Sequence, residues 1–343
     1  MCFLKPKTFM RNNGSFLLVL TVILLVPPYR ELFAEPEPKA RKSPVEFLVS
    51  VGARVHSLCV SSDGKRLLVG LENEIVAINT VDGSEIWRTR NASVTGVRSM
   101  AFLGSTNDAV VGLMNGNLVR IDSEGKTERV GDVGEYNAIW CIASTTEAEV
   151  ILGTHEGLVI CWDLKSKKET RRLAVSNRNI NSMSLFSDKS MLCISDYDRN
   201  ITLLNLSQFK VMKSIKIDHL AIALCYVKSR KEICVVTSMG ELMAFDSATL
   251  KLNSKANIDA SCTCAAVCFD DEQLCVMTGG PRLEVKSSGR IEFWTLQGSK
   301  RLAVRRDVRE DWYRCVVSLP GDQSIIVGSQ CGTVVKVRKE GKD

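Results

Sequence analysis

Thirteen cysteines and three histidines are the side chains of this 343-residue chain best suited to bind a metal ion. Cys262, Cys264 and Cys268 lie together in the segment CTCAAVC, which lacks the paired CxxC spacing and nearby histidine typical of zinc sites. The histidines are far apart in the sequence: His56, His155 and His219. We therefore interpret the three cysteines as buried strand residues, with a metal site as the alternative.

Motifs that organise catalysis are missing from the sequence. It has no GxSxG nucleophile elbow, no Walker loop and no HExxH pair. Gly279 and Gly280 are not followed by the GK[ST] sequence of a phosphate-binding loop, so we predict a turn there. The sequence thus indicates no catalytic residue and no cofactor, and it favours a non-enzymatic interaction protein.

The cysteines also bear on the compartment. Their number is odd and most lie within apolar runs, which is typical of buried free thiols in a reducing compartment and favours the cytoplasm. Three sequons, at Asn91, Asn200 and Asn205, would fit secretion, although such triplets also arise by chance in turns rich in serine and threonine.

The N-terminal segment indicates the opposite compartment. Basic residues precede the uncharged run FLLVLTVILLV at 16–26, which two prolines end, and this is the shape of a signal peptide. The run is shorter than the roughly 20 residues that span a bilayer. We interpret residues 1–34 as a signal-like or anchor-like segment and 35–44 (EPEPKARKSP) as a disordered linker. Entry into the secretory pathway, membrane contact through residues 16–28 and packing against the following domain stay open.

A repeat organises the rest of the chain. Apolar runs of four to eight residues, broken by Gly, Asp, Asn or Ser, recur with a period of 41–49 residues, as expected for four strands per propeller blade. No run has the length and period of an amphipathic helix. The third strands of seven units are EIVAIN, NLVRID, LVICWD, ITLLNL, ELMAFD, IEFWTL and TVVKVR.

The last unit lacks an outer strand, because five residues remain after Arg338. The unpartnered segment Glu46–Val51 (EFLVSV) can fill that place, which would remove the exposed strand edges of an open ring. We therefore predict an all-β fold for residues 45–343. It is a seven-bladed β-propeller closed by an N-terminal strand that completes the last blade.

The repeats resemble the WD40 family. VHSLCVSSDGKRLLVGL shows that family's hydrophobic rhythm and turn, LVICWDLKSKKET contains Trp162–Asp163, and Trp294 takes the same place in blade six. No Gly-His pair precedes any blade, so the polar tetrad of the family is mostly absent. The resemblance implies a WD40-like propeller that serves as a protein-binding scaffold. The segment VAINTVDGSEIWR at 76–88 is also similar to a quinoprotein repeat, which leaves a quinoprotein-like propeller as an alternative.

WD40 topology implies that the loops between blades and the turns from second to third strands share one face. Exposed Arg, Tyr and Trp side chains, the types that dominate interface hot spots, collect there in an extended segment of blade six and in the loop before blade seven. We predict protein or peptide binding by Arg282, Arg290, Arg305, Arg306, Arg309, Trp312, Tyr136 and Tyr197. Packing of Trp312 between blades, with solvated arginines around it, is the alternative.

The net charge of +6 is concentrated at the N-terminus: residues 1–42, with seven basic and three acidic residues, contribute +4 and the rest contributes +2. Such near-balance argues against nucleic-acid binding by the repeat domain. Lysines in the turns of the face opposite the interblade loops could contact RNA or anionic lipid. We favour ordinary solvated turns, because no aromatic residues interleave with these lysines: Lys65, Lys126, Lys165, Lys167, Lys168, Lys189, Lys210, Lys228, Lys231, Lys251 and Lys300.

Overall fold

The computed structural model describes residues 45–90, 94–258, 262–268, 273–278, 290–295, 301–305 and 313–338. Ser43–Asp343 form a compact unit. The predicted segments 1–34 and 35–44, and the sequon at Asn91, lie outside the described residues. In the part that is described, no helix has the length and apolarity needed to cross a membrane.

Seven antiparallel sheets of four strands form the described part of the domain, which confirms the predicted seven-bladed, all-β propeller. Strand β1 is Val45–Ser50. The first three blades are β2 Ser57–Val60, β3 Arg66–Gly70, β4 Ile75–Asn79 and β5 Glu85–Thr89; β6 Val97–Phe102, β7 Ala109–Leu113, β8 Asn117–Ile121 and β9 Thr127–Asp132; β10 Ile139–Ser144, β11 Glu149–Thr154, β12 Leu158–Asp163 and β13 Lys168–Ala174.

The other blades follow the same plan, with a short 3-10 helix at Lys228–Arg230 between the first two strands of blade five. They are β14 Ile180–Leu185, β15 Met191–Asp196, β16 Asn200–Asn205 and β17 Lys210–Lys216; β18 Ala221–Val227, β19 Glu232–Thr237, β20 Glu241–Asp246 and β21 Leu252–Asn257; β22 Cys262–Cys268, β23 Gln273–Thr278, β24 Arg290–Thr295 and β25 Arg301–Arg305; β26 Tyr313–Ser318, β27 Ser324–Ser329 and β28 Thr333–Arg338.

The first strand of each blade lies innermost, because β2, β6, β10, β14, β18, β22 and β26 contact one another in turn around the ring. The second and third strands are almost wholly buried, which explains their continuous apolar runs. Small residues allow close packing between blades. A Cβ on Gly112 would lie 2.5 Å from Ile139 Cγ2 of the next blade, and one on Gly153 would lie 2.8 Å from Ile180 Cγ2.

The fourth strand of the last sheet comes from the other end of the domain, since β1 pairs antiparallel with β28. The buried Lys336 joins the parts that meet there. Its Nζ lies 2.8 Å from Glu46 Oε2 on β1 and 3.0 Å from Asp322 Oδ2. It also donates a hydrogen bond to the carbonyl of Thr80 in blade one, at 3.2 Å. One ammonium group thus connects the N-terminal strand, the last blade and the first blade.

Two features of the predicted family resemblance have structural consequences. Trp162 is buried and donates its indole N–H to the carbonyl of Val130 in the preceding blade, at 3.1 Å. Trp294 instead donates to Glu292 Oε2 on its own strand, at 3.1 Å. The two indole N–H groups therefore have different hydrogen-bond partners, and they do not share one polar tetrad arrangement.

The cysteine side chains that the structure describes lie outside disulfides, and most are buried or half-buried. Cys262, Cys264 and Cys268 all lie on β22, as strand residues. Burial raises the pKa of the Cys262 thiol to about 12 and that of Cys264 well above its usual value. Among the described residues no group of cysteine, histidine or carboxylate side chains has the arrangement of a metal site.

Candidate docking face and channel mouth

Strand direction divides the turns of the ring between two ends. The loops between blades and the turns from second to third strands lie at one end, which we call the interblade-loop end. The turns from first to second and from third to fourth strands lie at the other, the opposite end. This assignment follows from the antiparallel order of every described sheet.

Two predicted binding residues are prominent at the interblade-loop end. Tyr136, between β9 and β10, is 80% exposed, and Tyr197, between β15 and β16, is 53% exposed. Tyr136 has a φ of 66°. A left-handed backbone is costly for a bulky residue that has a Cβ, so this position is strained. The structure therefore presents this aromatic ring to solvent despite a conformational cost.

Two methionines at the same end were not among the predicted binding residues. Met114 and Met239 lie in turns between second and third strands, and each is 49% exposed. The other large apolar side chains that are exposed in the described part lie on outer strands or, for one valine, at the opposite end: Ile86, Met212, Leu252 and Val81. The position of Met114 and Met239 in turns between second and third strands is a sequence signal from which their exposure could have been predicted.

The remaining predicted residues are only partly described. Arg290 begins β24 and Arg305 ends β25, which places both backbones at the interblade-loop end. Arg282, Arg306, Arg309 and Trp312 lie outside the described residues, as does the side chain of Arg305. A binding surface centred on blades six and seven therefore stays a prediction.

A ring of side chains at the mouth of the central channel was not predicted. In blades two to seven the pairing of the first strand shifts at its second residue, as in a β-bulge, which re-aims the side chain at that position. His56 takes the corresponding place just before β2. We call these seven residues the channel-mouth ring: His56, Arg98, Trp140, Asn181, Ile222, Thr263 and Arg314.

Members of the ring contact turn residues at the interblade-loop end of their own blades. His56 Nε2 lies 2.9 Å from Glu72 Oε2, and Arg314 Nη1 donates a hydrogen bond to Gln330 Oε1 at 3.0 Å. The ring of Trp140 stacks on a turn histidine, His155, with centroids 6.3 Å apart. These contacts couple the channel mouth to the outer turns.

Arg98 connects two blades through an aromatic contact. Its guanidinium carbon lies 3.7 Å from the ring centroid of Trp140, within the range of a cation–π interaction. The indole Nε1 of Trp140 is buried and has no hydrogen-bond partner among the described residues. Trp140 thus holds the charged group of Arg98 without neutralising it.

The electrostatics of the mouth are those of neighbouring cations. Burial, and then the nearby Arg314, lower the pKa of Arg98. Burial also lowers the pKa of His56; Glu72 opposes this effect, and Arg314, Arg98 and Arg54 add to it. Among the described residues no carboxylate forms an ion pair with Arg98 or Arg314. Within the part of the chain that the structure describes, the two guanidinium charges therefore have no compensating carboxylate.

Several charged groups at the opposite end form hydrogen bonds within turns or ion pairs with neighbouring residues. Asp163 Oδ1 accepts the backbone N–H and the hydroxyl of Ser166, and these bonds lower the pKa of Asp163. Lys167 pairs with Glu128 across two blades. A surface depression of about 520 Å³ is lined by Asp108 and Arg120, which form an ion pair at 2.5 Å. This end therefore offers fewer unsatisfied charges than the lysine content suggests.

No protein-family model matches the chain. A ciliary WD repeat-containing protein, ctxp80, of Euplotoides octocarinatus is 28% identical over 120 residues, which are 35% of this chain and 16% of that protein. The chain thus matches a small part of that protein's length.

Among solved structures, the β-propeller domain of Cps50 (Swd1) from Myceliophteria thermophila superposes with a TM-score of 0.73 at 11% identity. The match covers 86% of this chain and 99% of that domain. At this identity the similarity shows the fold. The chain therefore has the fold of a seven-bladed β-propeller and is similar over a short region to a WD repeat-containing protein.

Proposed function

We propose that this protein is a non-enzymatic scaffold that docks an extended segment of a protein partner on its interblade-loop end. The observation that supports the proposal is the distribution of exposed apolar side chains. Met114, Tyr136, Tyr197 and Met239 all lie at this end, whereas the opposite end exposes Val81 in the described part. Tyrosine and methionine are enriched at protein interfaces.

The arrangement of these four residues favours an extended peptide. They belong to loops of blades two to five, so they form an arc around the channel mouth rather than one pocket. We call them the apolar arc. A segment crossing the arc can bury one side chain after another against successive blades. The strained backbone of Tyr136 fits such a role, since strain of this kind clusters at binding sites.

The arginines of blades six and seven extend this surface in our proposal. Arg290, Arg305, Arg306 and Arg309, with Arg282 and Trp312, would continue the binding face beyond the apolar arc. The lysines of the opposite end are the alternative contact surface, for RNA or anionic lipid. Cysteine side chains that lie outside disulfides in the described part fit a reducing compartment, and we propose the cytoplasm as the site of action.

A displayed library of random twelve-residue peptides, selected on the full chain, tests the docking face. We expect the selected peptides to bind Tyr136→Ala and Tyr197→Ala at least fivefold more weakly than the unsubstituted protein, because truncating an exposed aromatic anchor costs about 1–2 kcal/mol. Val81→Ala and Met212→Ala are matched controls, since they remove exposed apolar groups elsewhere on the ring.

Two results would contradict the proposal. One is selection of no peptide above background. The other is a set of peptides whose affinity is unchanged by both tyrosine substitutions but reduced by Val81→Ala or by substitution of the lysines at the opposite end. Thermal melting of each variant identifies any loss of binding that comes from unfolding.

A further inference from the structure

We propose that the channel mouth is an anion site that receives one acidic side chain of the docked peptide, between Arg98 and Arg314. The inference rests on the proposed docking function and adds the chemistry of the ligand. Arg98 and Arg314 lie on the first strands of blades two and seven, and blade one, with His56, lies between them. The two guanidinium groups thus give one side of the channel a positive charge, with the imidazole of His56 between their blades.

A contrast with Lys336 supports the inference that these charges bind an anion. That buried ammonium group has two carboxylates and a carbonyl around it. Arg98, which is half-buried, contacts the face of Trp140 instead. Glu72, the carboxylate that contacts this ring among the described residues, is engaged with His56. Because a partly buried cation is costly without a counter-charge, an incoming anion would gain two charge-assisted interactions at once.

The surrounding rim indicates a single anionic group rather than a polyanion. Glu135, Glu156 and Asp218 are exposed carboxylates in loops at the same end, and Asp198 is a half-buried one that lies 3.8 Å from Arg178 Nε. Negative charges in the loops at this end would repel the phosphates of a nucleic acid. A peptide with one acidic residue can place a single negative charge between the two arginines. Its apolar residues can then contact the apolar arc, and it carries no further charges that the loop carboxylates would repel. Glutamate, aspartate and a phosphorylated residue share the chemistry, and the experiment distinguishes carboxylate from phosphate.

Three synthetic peptide pools provide the probe. Each is eleven residues long, fluorescently labelled and degenerate except at the centre, which is fixed as Glu, phosphoserine or Gln. Binding to the full chain is measured by fluorescence anisotropy at low and at physiological salt. We expect the Glu or the phosphoserine pool to bind at least tenfold more tightly than the Gln pool, with a preference that salt reduces. A further tenfold preference for phosphoserine over Glu would identify the ligand as a phosphopeptide.

The double variant Arg98→Gln/Arg314→Gln should remove the preference for acidic pools and leave the binding of the Gln pool unchanged. Arg178→Gln/Arg199→Gln is the matched control, because it removes two arginine charges from exposed positions at the same end. Arg314→Gln alone, at an exposed position, should give a smaller loss and guards against a folding defect in the double variant.

Retention of the preference in the double variant would overturn the anion site, as would equal binding of all three pools. Tighter binding of a single-stranded RNA oligonucleotide than of any pool would also overturn it. The experiments distinguish failure of the anion site from failure of docking. Peptides whose binding depends on Tyr136 and Tyr197 but shows no preference for an acidic residue would contradict the anion site and leave the docking proposal intact.

Discussion

Lys336 and Arg98 are both cations withdrawn from solvent, and they lie at opposite ends of the same ring. The side chain of Lys336 is 7% exposed, and its ammonium group is surrounded by Glu46, Asp322 and the carbonyl of Thr80. The guanidinium of Arg98 lies on the face of Trp140 and shares its surroundings with a second arginine. One cation completes the closure of the ring, and the other lacks a counter-charge among the described residues.

The difference shows that the repeat fixes where a side chain lies but not what it does. Every described blade has the same strand order, so its ends are geometrically equivalent to those of its neighbours. At the opposite end, carboxylates accept hydrogen bonds from backbone N–H groups and pair with nearby cations, so these charges stabilise the turns there. At the interblade-loop end, four large apolar side chains are exposed in the described part, and this is the end that we propose for binding.

The largest effect is expected from removing the cation that closes the ring. Lys336→Met takes the ammonium from Asp322 and leaves Glu46 with Arg338, so we expect the free energy of unfolding to fall by about 2–3 kcal/mol. Chemical denaturation measures the change. Lys216→Met, at an exposed position of an outer strand, is the control and should change stability by less than about 0.5 kcal/mol. Equal effects of the two substitutions would contradict the structural role of Lys336.

The next effect concerns the aromatic support of the uncompensated cation. Trp140→Leu keeps an apolar side chain but removes the cation–π contact with Arg98, so we expect the affinity for the acidic pools to fall by about five- to tenfold. The Gln pool should bind as before, because it makes no use of the guanidinium charge. Anisotropy titration with both pools measures this split. An equal loss for both pools would mean that Trp140 is a direct contact for the peptide backbone or its apolar residues.

A smaller effect tests whether the binding end sacrifices stability. Tyr136→Asn places a residue that tolerates the left-handed backbone at a φ of 66°, so we expect a gain of about 0.5–1 kcal/mol in unfolding free energy together with weaker peptide docking. Lys231→Asn, at a φ of 52° at the opposite end, should give a similar gain with unchanged docking. Loss of stability in Tyr136→Asn would show that the tyrosine ring packs favourably and that its backbone is not strained.

The smallest effect is a pH dependence that originates at His56. Burial holds the pKa of His56 below 6.5, Glu72 opposes this, and Arg314, Arg98 and Arg54 add to the depression, so the imidazole is neutral at pH 7.5. A bound anion would raise that pKa, and binding would then take up a proton below about pH 6.5.

The affinity for the Glu pool should therefore increase about two- to threefold as the pH falls from 7.5 to 5.5, a range in which a glutamate side chain stays ionised. His56→Gln should bind with an affinity that is flat over this range. An increase that persists in His56→Gln would assign the proton uptake to another group.

The sequence by itself determined the fold of this protein and the end at which its exposed tyrosines lie. Strand alternation is a local pattern, and a period near 42 residues specifies blades, so the third strands end within one residue of their predicted positions. Because antiparallel strands alternate in direction, Tyr136 and Tyr197 could be assigned to one end from their places between strands. Met114 and Met239 were available to the same reasoning.

The tertiary structure alone decided which residues meet at the channel mouth. Arg98, Trp140 and Arg314 come from three blades, and a shift in strand pairing re-aims each of them. The hydrophobic pattern of a strand records which side chains are buried but not a local change in pairing, so this signal was invisible in the repeat. Closure of the ring brings Arg314 within electrostatic reach of Arg98 across more than two hundred residues of sequence. The contact therefore depends on the whole ring, and no segment of the chain encodes it alone.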